Sequence, residues 1–211
     1  MTKSKLPRKV KQLMDQFAKE LRVPERKAIH PIVVAPVGPS RSGKTTVMTY
    51  VASRLGLVHV QSDCIRLFLR RHGLNSGKYI NRYGLIFCVG ERFLKLGYGV
   101  VLDANFASDP SRVLQARHLA KKYGGQFFLV RVKSSQGRMI RVLKKIKYPD
   151  KGGLFLDAQT AIAHLTRSAK QFDYKTLEKR AVVKVNPFKP LGPQLAWAIW
   201  EMRQAQIRPR P

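Results

Sequence analysis

Eight consecutive residues constrain this chain most: Gly38-Pro39-Ser40-Arg41-Ser42-Gly43-Lys44-Thr45 match the pattern G-x-x-x-x-G-K-[ST]. They stand between an apolar β-branched run, IVVAPV, and a helical run, TVMTYVASRL, so the octet joins a strand to a helix. Glycines let the backbone curl until successive N–H groups face one phosphate, and the next helix adds the positive end of its dipole. A plain glycine-rich turn leaves Lys44 unexplained, because a cation at a helix start is disfavoured unless an anion sits opposite. The octet, with Thr46 beside it, therefore predicts a nucleotide-phosphate site. Lys44 neutralises β- and γ-phosphate charge, the Thr45 hydroxyl is placed for Mg²⁺, and Ser42 and Thr46 make lesser contacts.

Around that octet the pattern alternates. Short apolar runs at 32–37, 57–61, 99–103, 126–132 and 181–186 are separated by helical segments, as in βαβ units with a parallel sheet. Asp109-Pro110 opens one helix and Gly124-Gly125 closes it, while Gly56 and Gly97 end two others. The fold class expected is α/β: a three-layer nucleotide-binding fold with a five-stranded, mainly parallel sheet, helices on both faces and a basic helical lid. Residues 1–28 read as a basic amphipathic helix, with Leu6, Val10, Leu13, Met14, Phe17 and Leu21 at helical spacing. Its expected use is docking on the main domain. Residues 29–189 then form the domain, with the lid at about 134–156, and 190–211 form a last helix and basic tail. In that helix Trp197 and Trp200 are expected to pack on the core.

In a sheet of this kind ligands collect at the carboxyl ends of the strands. Asp63 follows the second run and Arg66 lies one helical turn on, so the carboxylate is placed to take a proton from an attacking hydroxyl while the arginine keeps it charged. The competing reading is that Asp63 only caps the next helix. Asp103 ends the third run and is the expected partner of Mg²⁺, with Asn105 just beyond. After the fourth run, Arg138, Arg141 and Lys145 share one helical face, where a moving segment brings cations to a transferring phosphoryl group.

These residues resemble the P-loop kinases related to bacteriophage polynucleotide 5′-hydroxyl kinase, an AAA-type group with zeta-toxin-like and small-molecule kinases as cousins. The resemblance runs from about 32 to 173 through GPSRSGKTT, SDCIR, VVLDANF with Asp109-Pro110-Ser111-Arg112, and Arg138-Met-Ile-Arg141. It implies an ATP- and Mg²⁺-dependent phosphotransferase with Asp63 as general base, Arg66 beside it, Asp103 at the metal and Arg138 and Arg141 in the lid. Where many polynucleotide kinases have paired acids at the second motif, this chain has Ser62 and Cys64 flanking Asp63.

Composition bears on the acceptor. The 211 residues hold 41 Lys+Arg against 12 Asp+Glu, a formal charge of +29, while 44% are apolar, enough for a core. Such charge calls for a polyanionic partner, nucleic acid first. Basic residues Arg8, Lys9, Lys11, Arg70, Arg71, Lys121 and Lys122, with Tyr79, Tyr83 or Trp197 to stack bases, suit a 5′ end of RNA or DNA. The alternatives are a small-molecule, nucleotide-sugar or aminoacyl-tRNA kinase, and an ATP-controlled nucleic-acid-binding switch without transfer. Cys64 and Cys88 lack a disulfide or zinc spacing, and His30, His59, His72, His118 and His164 are scattered. No long apolar run is present, so a cytoplasmic protein without integral membrane association is expected.

Overall fold

The computed structural model describes residues 7–74, 82–106, 109–148, 155–171, 177 and 179–208. Tyr79, Leu6, the lid residues 149–154 and the end of the tail lie outside them.

Five strands, β1 (Val33–Val37), β2 (Val58–Gln61), β3 (Val100–Asp103), β4 (Phe127–Val132) and β5 (Val183–Val185), form one sheet in the order β2-β3-β1-β4-β5. Every pairing is parallel, with Val33 opposite both Val100 and Phe127, and Gln61 opposite Asp103. All five strands fall where the apolar runs predict them, most trimmed by a residue at one end. A parallel sheet needs both faces covered, which is why β1 and β3 are buried along their whole length.

One face is covered by α1 (Arg8–Glu20), α3 (Ser62–Arg71), α4 (Arg82–Lys95) and α5 (Pro110–Lys122), packed on Val33, Ala35, Val58, Val60, Val100 and Leu102. The other is covered by α2 (Lys44–Leu55) and α8 (Leu191–Ile207), packed on Val34, Val101, Val130 and Val132. The alternation of side chains along each strand separates the two cores. The N-terminal helix docks as its periodicity predicts: Val10, Leu13, Met14, Phe17 and Ala18 are buried, and Phe17 meets Phe68 edge to face. Burying side chains of that size is worth about 1.5–3 kcal/mol each.

Capping chemistry sets the helix ends. Asp109 accepts a hydrogen bond from the Ser111 amide at the start of α5, and Ser135 accepts one from the Arg138 amide at the start of α6 (Gln136–Lys145). Gly56 closes α2 in the left-handed conformation.

One expectation needs correction. The last helix docks through Leu195, Ala198, Met202 and Ala205, leaving Trp197 60% and Trp200 55% exposed rather than packed on the core. The stripe is real, but at 100° per residue both tryptophans fall on its outer side. α6 packs with α7 (Ala158–Gln171) around Met139, Leu143, Phe155, Ala161 and Leu165, a small core separate from the two sheet cores.

Candidate active site

The octet wraps the start of α2. Gly43 takes a left-handed φ of +88°, and a Cβ there would come within 2.7 Å of the Pro187 ring, so the position tolerates no side chain. A Cβ on Gly38 would stand 2.7 Å from both the Ser42 Oγ and the Val132 carbonyl. Arg41 also has a positive φ, 60°. These three positions bend the loop tightly over the helix end, and Ser42 is fully buried beneath it, its Oγ without a hydrogen-bond partner among the described residues. A cradle that a Cβ would fill, at a helix N-terminus, fits a phosphate group.

The Lys44 Nζ donates to the carbonyls of Gly38 (3.1 Å) and Pro39 (2.6 Å). Burial pushes this ammonium down to about 8, against the opposing pull of Asp103 and then Asp63. Arg131, at the end of β4, lies buried nearby, its guanidinium donating to the Val37 and Val132 carbonyls. Both cations therefore brace the loop at the strand ends.

A cleft of about 570 Å³ opens over the loop. Ser40, Arg41, Gly43, Lys44, Thr45 and Thr46 form its floor. Asp63 and Arg66 enter from the start of α3. The Arg66 guanidinium is buried and pairs with the Asp63 carboxylate at 3.2 Å, while Asp63 itself is exposed to the cleft. The helix cap is Gln61, and the Asp63 side chain turns to Arg66, which speaks against a purely capping role. Asp103 reaches in from β3, buried, with its Oδ2 held 3.2 Å from His59 Nε2; His59 Nδ1 in turn lies 3.4 Å from Gln61 Nε2. The far wall is Tyr83, Asn105 and Arg112: the guanidinium of Arg112 stacks 3.2 Å from the Tyr83 ring centroid, and Tyr83 donates to the Asn105 carbonyl. With Asp103 and the Thr45 hydroxyl in the same cleft, the donor set is hard oxygen, suited to Mg²⁺ shared with a phosphate chain.

The predicted loop, Asp63, Arg66 and Asp103 thus converge. Arg138 and Arg141 do not line this cleft; both are exposed on α6, and Arg138 stacks 4.4 Å from the centroid of Phe188, in the segment that abuts Gly43. Four contributors were missed: His59, Arg131, the Tyr83–Arg112 stack as a wall, and His164, which reaches the cleft from α7. His59 had a local signal, since it and Gln61 share one face of β2 beside Asp103. His164 had none.

Comparison with known proteins agrees with this geometry. A family model described as AAA domain matches residues 33–149. The chain belongs to the AAA domain family. The match begins at β1 and ends just beyond α6, so it takes in the loop, Asp63, Asp103, Arg138 and Arg141 and leaves α1, α7 and α8 outside. No curated protein matches the chain significantly. Among solved structures it is similar to a gluconokinase from Sinorhizobium meliloti 1021 (21% identity, TM-score 0.52, covering 86% of this chain and 96% of that one). It is also similar to a protein called APE1195 (17%, 0.59, 86% and 99%) and to the APS kinase CysC of Mycobacterium tuberculosis (18%, 0.50, 82% and 98%). The fold is that of the P-loop kinases. No helix among the described residues is long and apolar enough to cross a membrane.

Proposed function

We propose that the cleft transfers the γ-phosphoryl group of ATP to a hydroxyl of a small anionic acceptor. The observation that supports this most is the convergence of a phosphate loop with Lys44, a buried Asp103 and an exposed, arginine-paired Asp63 on one cleft. A nucleotide switch has no need of that last pair.

In this reading Lys44 leaves the loop carbonyls for the β- and γ-phosphates. Thr45 and Asp103 would hold Mg²⁺, which when bound neutralises charge on those phosphate oxygens. Asp63 accepts the proton of the acceptor hydroxyl as its oxygen bonds to the γ-phosphorus and the bond to the β–γ bridging oxygen breaks; ADP departs with that electron pair. Arg66, 3.2 Å away, orients the Asp63 carboxylate through their ion pair. Because α6 and α7 rest on their own small core, they close over the cleft as a unit, carrying Arg138, Arg141 and His164 towards the transferring group.

Two observations favour a small acceptor over a 5′ end. The cleft has the size of a small-molecule pocket, and its cations, Arg41, Lys44, Arg66 and Arg112, face Asp63 and Asp103, so the large charge excess is not concentrated there. Two of the similar structures are named for kinases of gluconate and of APS, both small molecules. Arg66 and Arg112 at the acceptor end suit a carboxylate or phosphate on the acceptor. The 5′-hydroxyl reading retains one support, the Asp63-x-x-Arg66 and Asp103-x-Asn105 spacing. Transfer of γ-labelled phosphate, with Mg²⁺, to hydroxy acids, sugar phosphates, nucleosides and 5′-hydroxyl oligonucleotides decides between them. Label on an anionic small molecule is expected; label on oligonucleotides alone would overturn the choice of acceptor.

A further inference from the structure

We propose that the helical layer of α1, α3, α4 and α5 is a docking surface for the phosphate backbone of double-stranded nucleic acid. Three of these helices also carry cleft residues, Asp63 and Arg66 on α3, Tyr83 on α4 and Arg112 on α5, but the basic residues of the docking surface are others, and the proposal is independent of the phosphotransfer reading.

With the cleft residues Asp63, Arg66 and Arg112 and the undescribed Arg82 side chain left aside, these four helices hold eleven Lys or Arg against three Asp or Glu. On the other layer, α2 and α8 hold two against one once Lys44 of the cleft is left aside. Of the two layers that cover the sheet this one is the more basic, while α6, outside both, adds Arg138, Arg141, Lys144 and Lys145 with no Asp or Glu. Within this layer a groove of about 430 Å³ lies where α1, α4 and α5 meet, lined by Lys11, Arg92, Lys95 and Lys122 together with Asp15 and Glu91. The groove's two carboxylates are already engaged: Asp15 pairs with Arg92 and Glu91 with Lys122, ties that link α1 to α4 and α4 to α5. Lys11 and Lys95 have no ion-pair partner among the described residues, nor do the exposed Arg117 and Lys121 one helical turn apart on α5.

The chemistry of this face selects among polyanions. An anionic membrane is usually held by a helix that also inserts apolar side chains, and the apolar side of α1 is already spent on the core. Single strands are held by stacking bases on aromatic rings. Among the described residues the exposed large aromatics are Phe188, Trp197 and Trp200, none of them on these four helices. What remains is cations beside one half-buried ring in the groove, Tyr123, which is covered by Lys122 and donates to Glu91; cations without an exposed ring read a duplex through its phosphates and without regard to sequence.

The test measures binding of the full chain to an RNA duplex, a DNA duplex, the matching single strands and anionic lipid vesicles over a range of salt. Two doubly charge-reversed variants accompany it, Lys11→Glu with Lys121→Glu on this layer and Arg54→Glu with Arg203→Glu on the other. Both variants change the net charge equally, and ATP binding by each reports that the fold is intact. Duplex affinity should fall with salt at a log–log slope of about −0.9 per phosphate contacted, weaken about tenfold or more in the first variant and stay within about threefold in the second. A flat salt response, equal losses in both variants, preference for single strands or comparable binding to vesicles would each overturn the proposal. Phosphate transfer by the first variant separates a failure here from a failure of the catalytic reading.

Discussion

The cleft and the outer helical layer both carry cations, but they hold them differently. In the cleft Lys44 is tied to two carbonyls, Arg66 to Asp63, and Arg112 to a tyrosine ring and Asp109. On the outer layer, Lys11, Lys95, Arg117 and Lys121 are free of such partners among the described residues. Surface ion pairs add only about 0–1 kcal/mol each, and excess like charge opposes folding, so the outer cations are poorly explained by stability. The contrast shows that net charge and catalytic charge are separate quantities here. In the proposed reading a few cations, each held in place, serve the chemistry, and the unpaired ones serve the docking of a polyanion.

That contrast can be broken first at Lys44. Lys44→Met should lower phosphate transfer by about a thousandfold or more, since a preorganised charge on the transferring group is lost, while thermal stability is little changed. Steady-state kinetics beside a melting curve would show it.

A smaller effect is expected from the partner of Asp103. His59→Ala should raise the Mg²⁺ concentration needed for half-maximal rate about tenfold, because groups that orient a metal ligand typically contribute 10–100-fold in affinity or activity, roughly. His59→Asn should recover part of that loss if orientation is the cause.

The third test is pH. Lys44 is lowered to about 8, so its ammonium is present below that value and is lost as pH rises through it. Bound phosphate favours the charged form, and ATP affinity should therefore decline by up to about tenfold per pH unit above about 8, a decline absent in Lys44→Met. Calorimetric titration of ATP across that range reads it directly. The smallest effect belongs to the outer layer: Lys11→Glu with Lys121→Glu should leave transfer to a small acceptor within about twofold, since salt screens charges beyond about 10 Å.

Features encoded by contiguous residues were legible from sequence. The loop, the strand ends bearing Asp63 and Asp103, and the i,i+3 pair with Arg66 each depend on a few neighbours in the chain, and local periodicity or capping reveals them. The apolar side of α1 was legible for the same reason. What could not be read depends on how distant segments meet. His164 comes to the cleft only because α7 packs on α6, and the Tyr83–Arg112 stack joins α4 to α5. The outward direction of Trp197 and Trp200 follows from which side of α8 finds the sheet, and the difference in charge between the two sheet-covering layers from which helices share a layer. Composition reported the +29 correctly but gave no place for it, and a nucleic-acid acceptor was the natural inference from it; the cleft lining holds only four of the 41 Lys and Arg, with two carboxylates among them.

The central claim, that this cleft performs phosphoryl transfer with Asp63 as the base, is tested most directly by Asp63→Asn. ATP affinity and turnover on the labelled acceptor should be measured on the same preparation. The account predicts ATP binding within about twofold of the parent and turnover reduced by about 10²–10⁴, because only the transition state uses the carboxylate. Unchanged turnover in Asp63→Asn would contradict it, as would ATP binding by the parent chain with no acceptor labelled.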